Sequence, residues 1–363
     1  MRRRARHFLA VCLAAAGCGE GGDPIPEGRL LSVDTLSARA GVELYEPVAV
    51  MQGPEGAVYV LDRGNSELYR FRGTRVDTLA VAGSGPGELK QPSVFGQVAD
   101  TIWVVDEGNG RIQALDREGR FVRSIPYARG AQDATIDPTR RVMYAAAFGQ
   151  NFALVDGRPM LRGDSLITVV SLDSGESIGE FGAPRPYEGV VIPILGNYVR
   201  VARDPRDGSI VVAWPFEPHV ERFTASGQRA ESFPRPLAFD PPAPAEYATS
   251  RSPLPAGDAQ LITYDIELDA AGRLFVLTAV AAKTARLGSK EYRVPAQAVD
   301  VIGPTGTLEC RLFLPFTAWS LALAGQEELL FTDILEEPAL YRLRYHCPRS
   351  TVSVRSVRGN RPE

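Results

Sequence analysis

The chain is poor in lysine, histidine and cysteine, and each scarcity removes a class of function. Lysine stands only at Lys90, Lys283 and Lys290; arginine supplies the rest of the 40 cationic residues, against 44 acidic ones. With a net charge of −4 and no basic run beyond the first few residues, the electrostatic footprint of a nucleic-acid binder is missing. His7 falls in the leader, so His219 and His346 are the only imidazoles left, too few for a three-histidine zinc site. A Ser/His/Asp triad would need one of these two histidines beside a positioned serine and acid. A convincing amphipathic helix is also lacking. Apolar residues instead alternate in runs of four to eight between Gly, Pro and Asp turns, the period of strands.

What is present begins with a leader. Arg2-Arg3-Arg4-Ala5-Arg6 precedes an apolar run from Phe8 to Ala16 and then Gly17-Cys18. A basic start, a short apolar stretch and small residues make a secretory signal over 1–17, too short for a stable membrane span. Ala15-Ala16-Gly17-Cys18 resembles the bacterial lipoprotein signal, in which the cysteine is lipidated and becomes the mature N-terminus. Ordinary cleavage of a secreted protein is the other reading. The resemblance implies export and a lipid anchor at Cys18, in the outer membrane or periplasm. Residues 18–28 form a Gly/Pro/acidic tether. Cys310 and Cys347 would then meet an oxidising compartment, as a disulfide or as two buried thiols.

The remainder is a repeat. Gly56–Pro92 contains two alternating runs joined by Asp62-Arg63-Gly64-Asn65, a third run, and a Gly/Pro loop; Thr101–Leu115 echoes its core. Six tight turns recur at 53–56, 99–101, 137–140, 204–208, 269–272 and 324–327, each followed by a strong strand. Five shorter turns, at 72–74, 117–119, 173–175, 225–227 and 304–306, join third strands to fourth. One unit therefore lacks an ordinary fourth strand. Gly41–Pro47 repeats the Glu-Leu-x-x-Pro loop of Gly87–Pro92, so Arg29–Leu36 before it reads as the missing strand, belonging to the sixth unit. Thr351–Val357 is its rival. The expectation is an all-β, six-bladed β-propeller over 29–347, closed by the N-terminal strand in its last blade, with a C-terminal tail at 348–363.

The motif Asp106-x-x-Asn109-x-Arg111-Ile112, with the loop from Gly83 to Pro92, resembles the NHL repeat and its bacterial six-bladed relatives. The match is specific over blades one and two and partial over the sixth. In blades three to five Ala146 or Thr278 stands where the aspartate would be. Among relatives that the resemblance implies, calcium-dependent lactonases use oxygen ligands in the channel, so calcium stays open as a cofactor; otherwise none is expected.

Rigid scaffolds carry function on elaborated loops. Here these are Phe148–Leu166, Gly182–Asn197, Pro234–Leu261 and Ala279–Pro295, all on the face opposite the six tight turns. Candidate ligand-binding residues on that face and in the channel are Asp62, Arg63, Asn65, Asp106, Glu107, Asn109, Arg200, Trp214, His219, Asp265 and Glu267. Asp62, Asn65, Asp106 and Asn109 read either as an acidic rim or as side chains bonding their own loops. Asp265 and Glu267 lie on an innermost strand near Arg200, as a ligand site or a structural ion-pair cluster. No catalytic residue and no resident metal are assigned. The preferred reading is a monomeric, membrane-tethered module that binds a protein, peptide or glycan at the loop-rich face. The alternative is a calcium-dependent hydrolase or lyase at the channel mouth.

Overall fold

The computed structural model describes residues 25–146, 152–155, 158–161, 165–185, 196–237, 261–287 and 290–348. The leader, Cys18, most of the tether, residues 351–357 and much of the elaborated loops lie outside the described residues.

After β1 (Arg29–Thr35), six antiparallel sheets follow in chain order. Blade one comprises β2 (Pro47–Gln52), β3 (Val58–Asp62), β4 (Glu67–Arg72) and β5 (Arg75–Ala82), with the short β6 (Glu88–Leu89) parallel to β5. Blade two is β7 (Pro92–Val98), β8 (Thr101–Asp106), β9 (Arg111–Asp116) and β10 (Phe121–Pro126). Blade three is β11 (Asp133–Asp137) and β12 (Val142–Ala146), then the inserted hairpin β13 (Phe152–Val155) and β14 (Arg158–Leu161), then β15 (Ile167–Ser171) and β16 (Ser177–Phe181). Blade four is β17 (Arg200–Arg203), β18 (Ile210–Ala213), β19 (His219–Phe223) and β20 (Arg229–Pro234). Blade five is β21 (Asp265–Leu268), β22 (Leu274–Leu287), β23 (Lys290–Ile302) and β24 (Leu308–Phe313). Blade six is β25 (Ser320–Leu323), β26 (Glu328–Asp333) and β27 (Ala339–His346), completed on its outside by β1.

The innermost strands β2, β7, β11, β17, β21 and β25 touch in that cyclic order, so the ring is closed. β1 runs antiparallel to β27, from Arg29 opposite His346 to Thr35 opposite Tyr341. The expected strand stops one residue early: Leu36–Ala40 forms a single helical turn, α1, capped by Gly41 at φ 69°.

Period-2 alternation explains the packing, because each middle strand is buried on both faces. Val58 and Val60 face blade six, meeting Leu330 and Leu340; Tyr59 and Leu61 face blade two, meeting Ile102 and Val104. Each of the six blade interfaces has its own apolar cluster. A fully buried Val or Leu in these clusters stabilises by about 1.5–3 kcal/mol.

Two stretches read as loops turn out to contain ladders. Ala279–Leu287 continues β22 and pairs with Lys290–Gln297, carrying blade five beyond the ring. Phe152–Val155 pairs with Arg158–Leu161 in the blade-three insertion. Both are partnered by segments close in sequence, which makes a hairpin out of a run with a weak strand signal.

The seam between blades five and six is doubly tied. Gly28 N–H donates to Arg311 C=O at 2.9 Å and Arg311 N–H to Pro26 C=O at 3.0 Å, laying the N-terminal lead on the edge of β24. Beside it Cys310 is bonded to Cys347, with their Cα atoms 5.9 Å apart.

Candidate binding site at the channel mouth

Each innermost strand starts on the loop-rich face, so its first residues rim one end of the channel. Asp133 opens β11, Arg200 opens β17, and Asp265 and Glu267 lie on β21; with Trp319 and Gln132 they surround a cavity of about 90 Å³. That volume holds several waters or one small polar group and is well below a drug-sized pocket of about 300 Å³ or more.

Two of the carboxylates brace neighbouring blades. Asp133 accepts from Ala134 N–H at 2.9 Å and from Val201 N–H of blade four at 2.7 Å. Asp265 accepts from Ile266 N–H at 2.8 Å and from Leu321 N–H of blade six at 2.7 Å. Arg200 reaches the Gln132 carbonyl at 3.5 Å, and its guanidinium lies 5.3 Å from the centroid of the Trp319 ring. Among the described residues it makes no close ion pair. Three acids therefore share one arginine.

These residues are half-buried in a narrow channel lined by all six innermost strands. Burial raises the Asp133 carboxyl above its ordinary range, with Arg200 opposing. Burial raises Asp265 too, helped by the charge of Asp133 and opposed by Arg200. Glu267 is lifted well above the usual range by burial and then by the charges of Asp265 and Asp133. The ring end thus favours protons, or a cationic or hydrogen-bond-donating partner.

Arg63 and Glu107, on the second-to-third-strand turns of blades one and two, meet at 3.6 Å. Burial raises the Glu107 carboxyl and Arg63 pulls it back. Gly130 lies beneath it: a Cβ there would stand 1.9 Å from a Glu107 carboxylate oxygen, so a larger residue would push that carboxylate aside. Tyr198, just before β17, feels the same carboxylate, which together with burial raises its phenol.

Other candidates are placed differently. Asp62 is fully buried and accepts from the N–H groups of Tyr45 at 2.7 Å, Glu46 at 2.9 Å and Asn65 at 3.1 Å. Asp106, also fully buried, accepts from Lys90 N–H at 2.7 Å, Asn109 Nδ2 at 2.8 Å and Arg111 Nε at 2.8 Å. Asn65 and Asn109 each bond back to the aspartate three residues before them. These groups fasten the inter-blade loop, leaving the first of its two variable positions outward in both copies: Tyr45 is 72% exposed, and Lys90 is exposed too. Trp214 is fully buried between blades three and four, with Arg185 stacked 4.5 Å above its ring. His219 is exposed at the start of β19 opposite Pro234, away from the innermost strands.

Asp133 was missed by sequence reasoning. The signal exists: Asp133, Arg200 and Asp265 each stand four residues before a turn aspartate, Asp137, Asp204 and Asp269. Among the described residues no three His, Cys, Asp or Glu side chains are grouped to hold a metal ion.

No protein-family model matches this chain, and no curated protein does. Solved structures do resemble it in fold. A member of the DUF4221 family from Bacteroides vulgatus is 11% identical, covering 90% of this chain and 99% of its own, at a TM-score of 0.55. A protein of unknown function from Bacteroides thetaiotaomicron is 10% identical over 86% of this chain and 76% of its own, at 0.53. The calcium-binding protein regucalcin from Agrobacterium tumefaciens is 12% identical over 89% of this chain and 96% of its own, at 0.52. At such identities the likeness is one of fold.

Proposed function

We propose that this six-bladed propeller is an exported binding module, anchored through Cys18, that recognises a protein, peptide or glycan at its loop-rich face. The observation that supports this reading is the channel mouth, where Asp133, Asp265 and Glu267 outnumber Arg200 on strands that cannot move independently. A ligand that inserts an ammonium, guanidinium or other donor group would relieve the surplus of carboxylates, and the small cavity suits the tip of a larger ligand. Around it Tyr45, Lys90 and the Arg63–Glu107 pair supply further outward contacts. The test is capture from envelope extract by the intact protein and by the Asp265→Asn/Glu267→Gln pair of changes. A partner retained by the first and lost by the second supports the reading; equal capture defeats it.

The second reading is a calcium-dependent hydrolase or lyase, favoured by the same channel carboxylates and by the fold shared with regucalcin. The described side chains do not assemble a calcium ligand set, and no catalytic step is assigned to them. Stoichiometric calcium in the purified protein would move the balance to this reading.

A further inference from the structure

The lead into β1 fixes where the chain leaves the ring. Pro26–Gly28 is bonded to the outer edge of β24, and β1 is the outer strand of blade six. Any tether from Cys18 therefore departs from the rim between blades five and six. Six residues lie between Cys18 and Ile25, and the seven Cα steps span about 23–25 Å at full extension. Each blade stacks four strands at about 4.8 Å outward from a central channel, making the ring roughly 40 Å across. The tether is too short to let blades two or three turn toward the anchor.

The same rim carries outward apolar side chains. Ile25 is 37% exposed, Leu31 50%, Val33 39% and Phe313 46%. Leu31 and Val33 lie on β1, Phe313 ends β24, and Ile25 starts the lead, so all four belong to the two blades from which the chain departs. Outer strands elsewhere expose apolar residues as well, Val81 on the adjacent blade one and Phe121, Val122 and Ile178 on blades two and three; those on blades two and three stand out of the tether's reach.

We infer that the outer rim of blades five and six is a lipid-contact surface, on which the propeller stands edge-on to the bilayer. This rests on the reading of Cys18 as the anchor. Burying these side chains at the headgroup boundary follows the rule for interfacial segments, where one lipid chain gives only marginal attachment and a second contact secures it. An edge-on stance opens the channel mouth sideways, parallel to the membrane, toward partners carried on the same surface.

The experiment adds tryptophan at three rim positions of the mature chain, as Leu31→Trp, Phe313→Trp and Ile178→Trp. All three replace outward side chains, so each variant should keep the parent's melting temperature. Each protein is held on phosphatidylcholine vesicles by coupling Cys18 to a maleimide lipid, so the rim is tested whether or not the cell acylates that residue. Mass analysis of the native N-terminus reads the anchor itself. With brominated lipid, the added emission at positions 31 and 313 should be lost while that at 178 persists. Unquenched emission at 31 and 313, or equal loss at all three, overturns the inference.

Discussion

Replacing Asp106 with alanine tests whether the repeated aspartate is a fastening or a ligand group. Its side chain is fully buried and receives Lys90 N–H, Asn109 Nδ2, Arg111 Nε and, at 3.2 Å, Gln113 Nε2. Removing one member of a buried ion pair costs about 3–5 kcal/mol because the partner's charge is stranded. Arg111 keeps the Gly85 and Glu88 carbonyls at 2.7 and 2.9 Å, and Gln113 keeps Glu88. The cost should therefore lie near the lower end, about 3 kcal/mol, with the lost Lys90 bond included. A folded unit of roughly 320 residues has a melting entropy of about 0.7 kcal/mol/K, so Asp106→Ala should lower Tm by about 4 °C. Asp106→Asn, which keeps one acceptor, should fall between. Urea unfolding and scanning calorimetry read the loss, and a double-mutant cycle with Arg111→Ala isolates the pair. A change below about 1 kcal/mol would refute the reasoning. So would lost capture of an envelope partner at unchanged stability, which is the signature of a ligand group.

Two further outcomes follow from the channel and the seam. Burial raises Asp133 to about 6 and Asp265 to about 7, with Glu267 raised as well, so the folded state keeps protons that the unfolded chain releases near pH 4. Their contribution to stability is complete below about pH 4 and declines as pH rises through about 6 to 7; Glu267→Gln should match the parent's Tm at pH 4 and exceed it at pH 8, and parallel curves would contradict this. Reducing the Cys310–Cys347 bond, which closes a separation of 37 residues, should cost about 3–4 kcal/mol, read as a lowered urea midpoint in dithiothreitol; two free thiols besides Cys18 in the oxidised, denatured protein would mean the bond does not form in solution.

The ring was legible in the sequence because its turns are punctuated by residues that turns require. Gly56 at φ 76° and Gly272 at φ 78° take a conformation that side chains resist, and they end two of the six tight turns that set the blade count. The closing strand was found through a loop, since Leu44 and Leu89 are both buried anchors of the repeated Glu-Leu-x-x-Pro stretch. Arg200, Asp265 and Glu267 were placed together because strand alternation puts them at one channel end. Asp133 escaped because it is a single acid in Gln132-Asp133-Ala134-Thr135, without the alternating pair of acids that marked Asp265 and Glu267. The β22–β23 extension escaped for another reason: Ala279–Ala285 is rich in alanine, a poor strand former, and its ladder depends on a partner strand.

A task can persist in the ring after its residue has changed, and blade five shows how. Thr278 stands where blades one, two and six have Asp62, Asp106 and Asp333. The loop before β21 is held instead by Arg235, which follows the outer strand of blade four. Its guanidinium donates to Thr278 Oγ1 at 3.1 Å and to the Ile262 carbonyl at 2.9 Å, and it is 3% exposed. The nearby Asp300 is engaged by Arg311 through two bonds of 2.6 and 2.8 Å, so Arg235 is a buried cation on neutral acceptors. Burial pushes its guanidinium down to about 10, with Asp300 opposing. This inverts the energetics of Asp106. Arg235→Met removes the desolvated charge together with its bonds, and the Ile262 carbonyl keeps Thr278 Oγ1 at 2.6 Å. Replacing a buried charge by an apolar chain of similar volume is often near neutral, so the cost should stay within about 1–2 kcal/mol, below that of Asp106→Ala. The same urea titration decides the order. If Arg235→Met proves the more damaging, the bonds of Arg235 outweigh the cost of burying its charge, and the reasoning from desolvation fails.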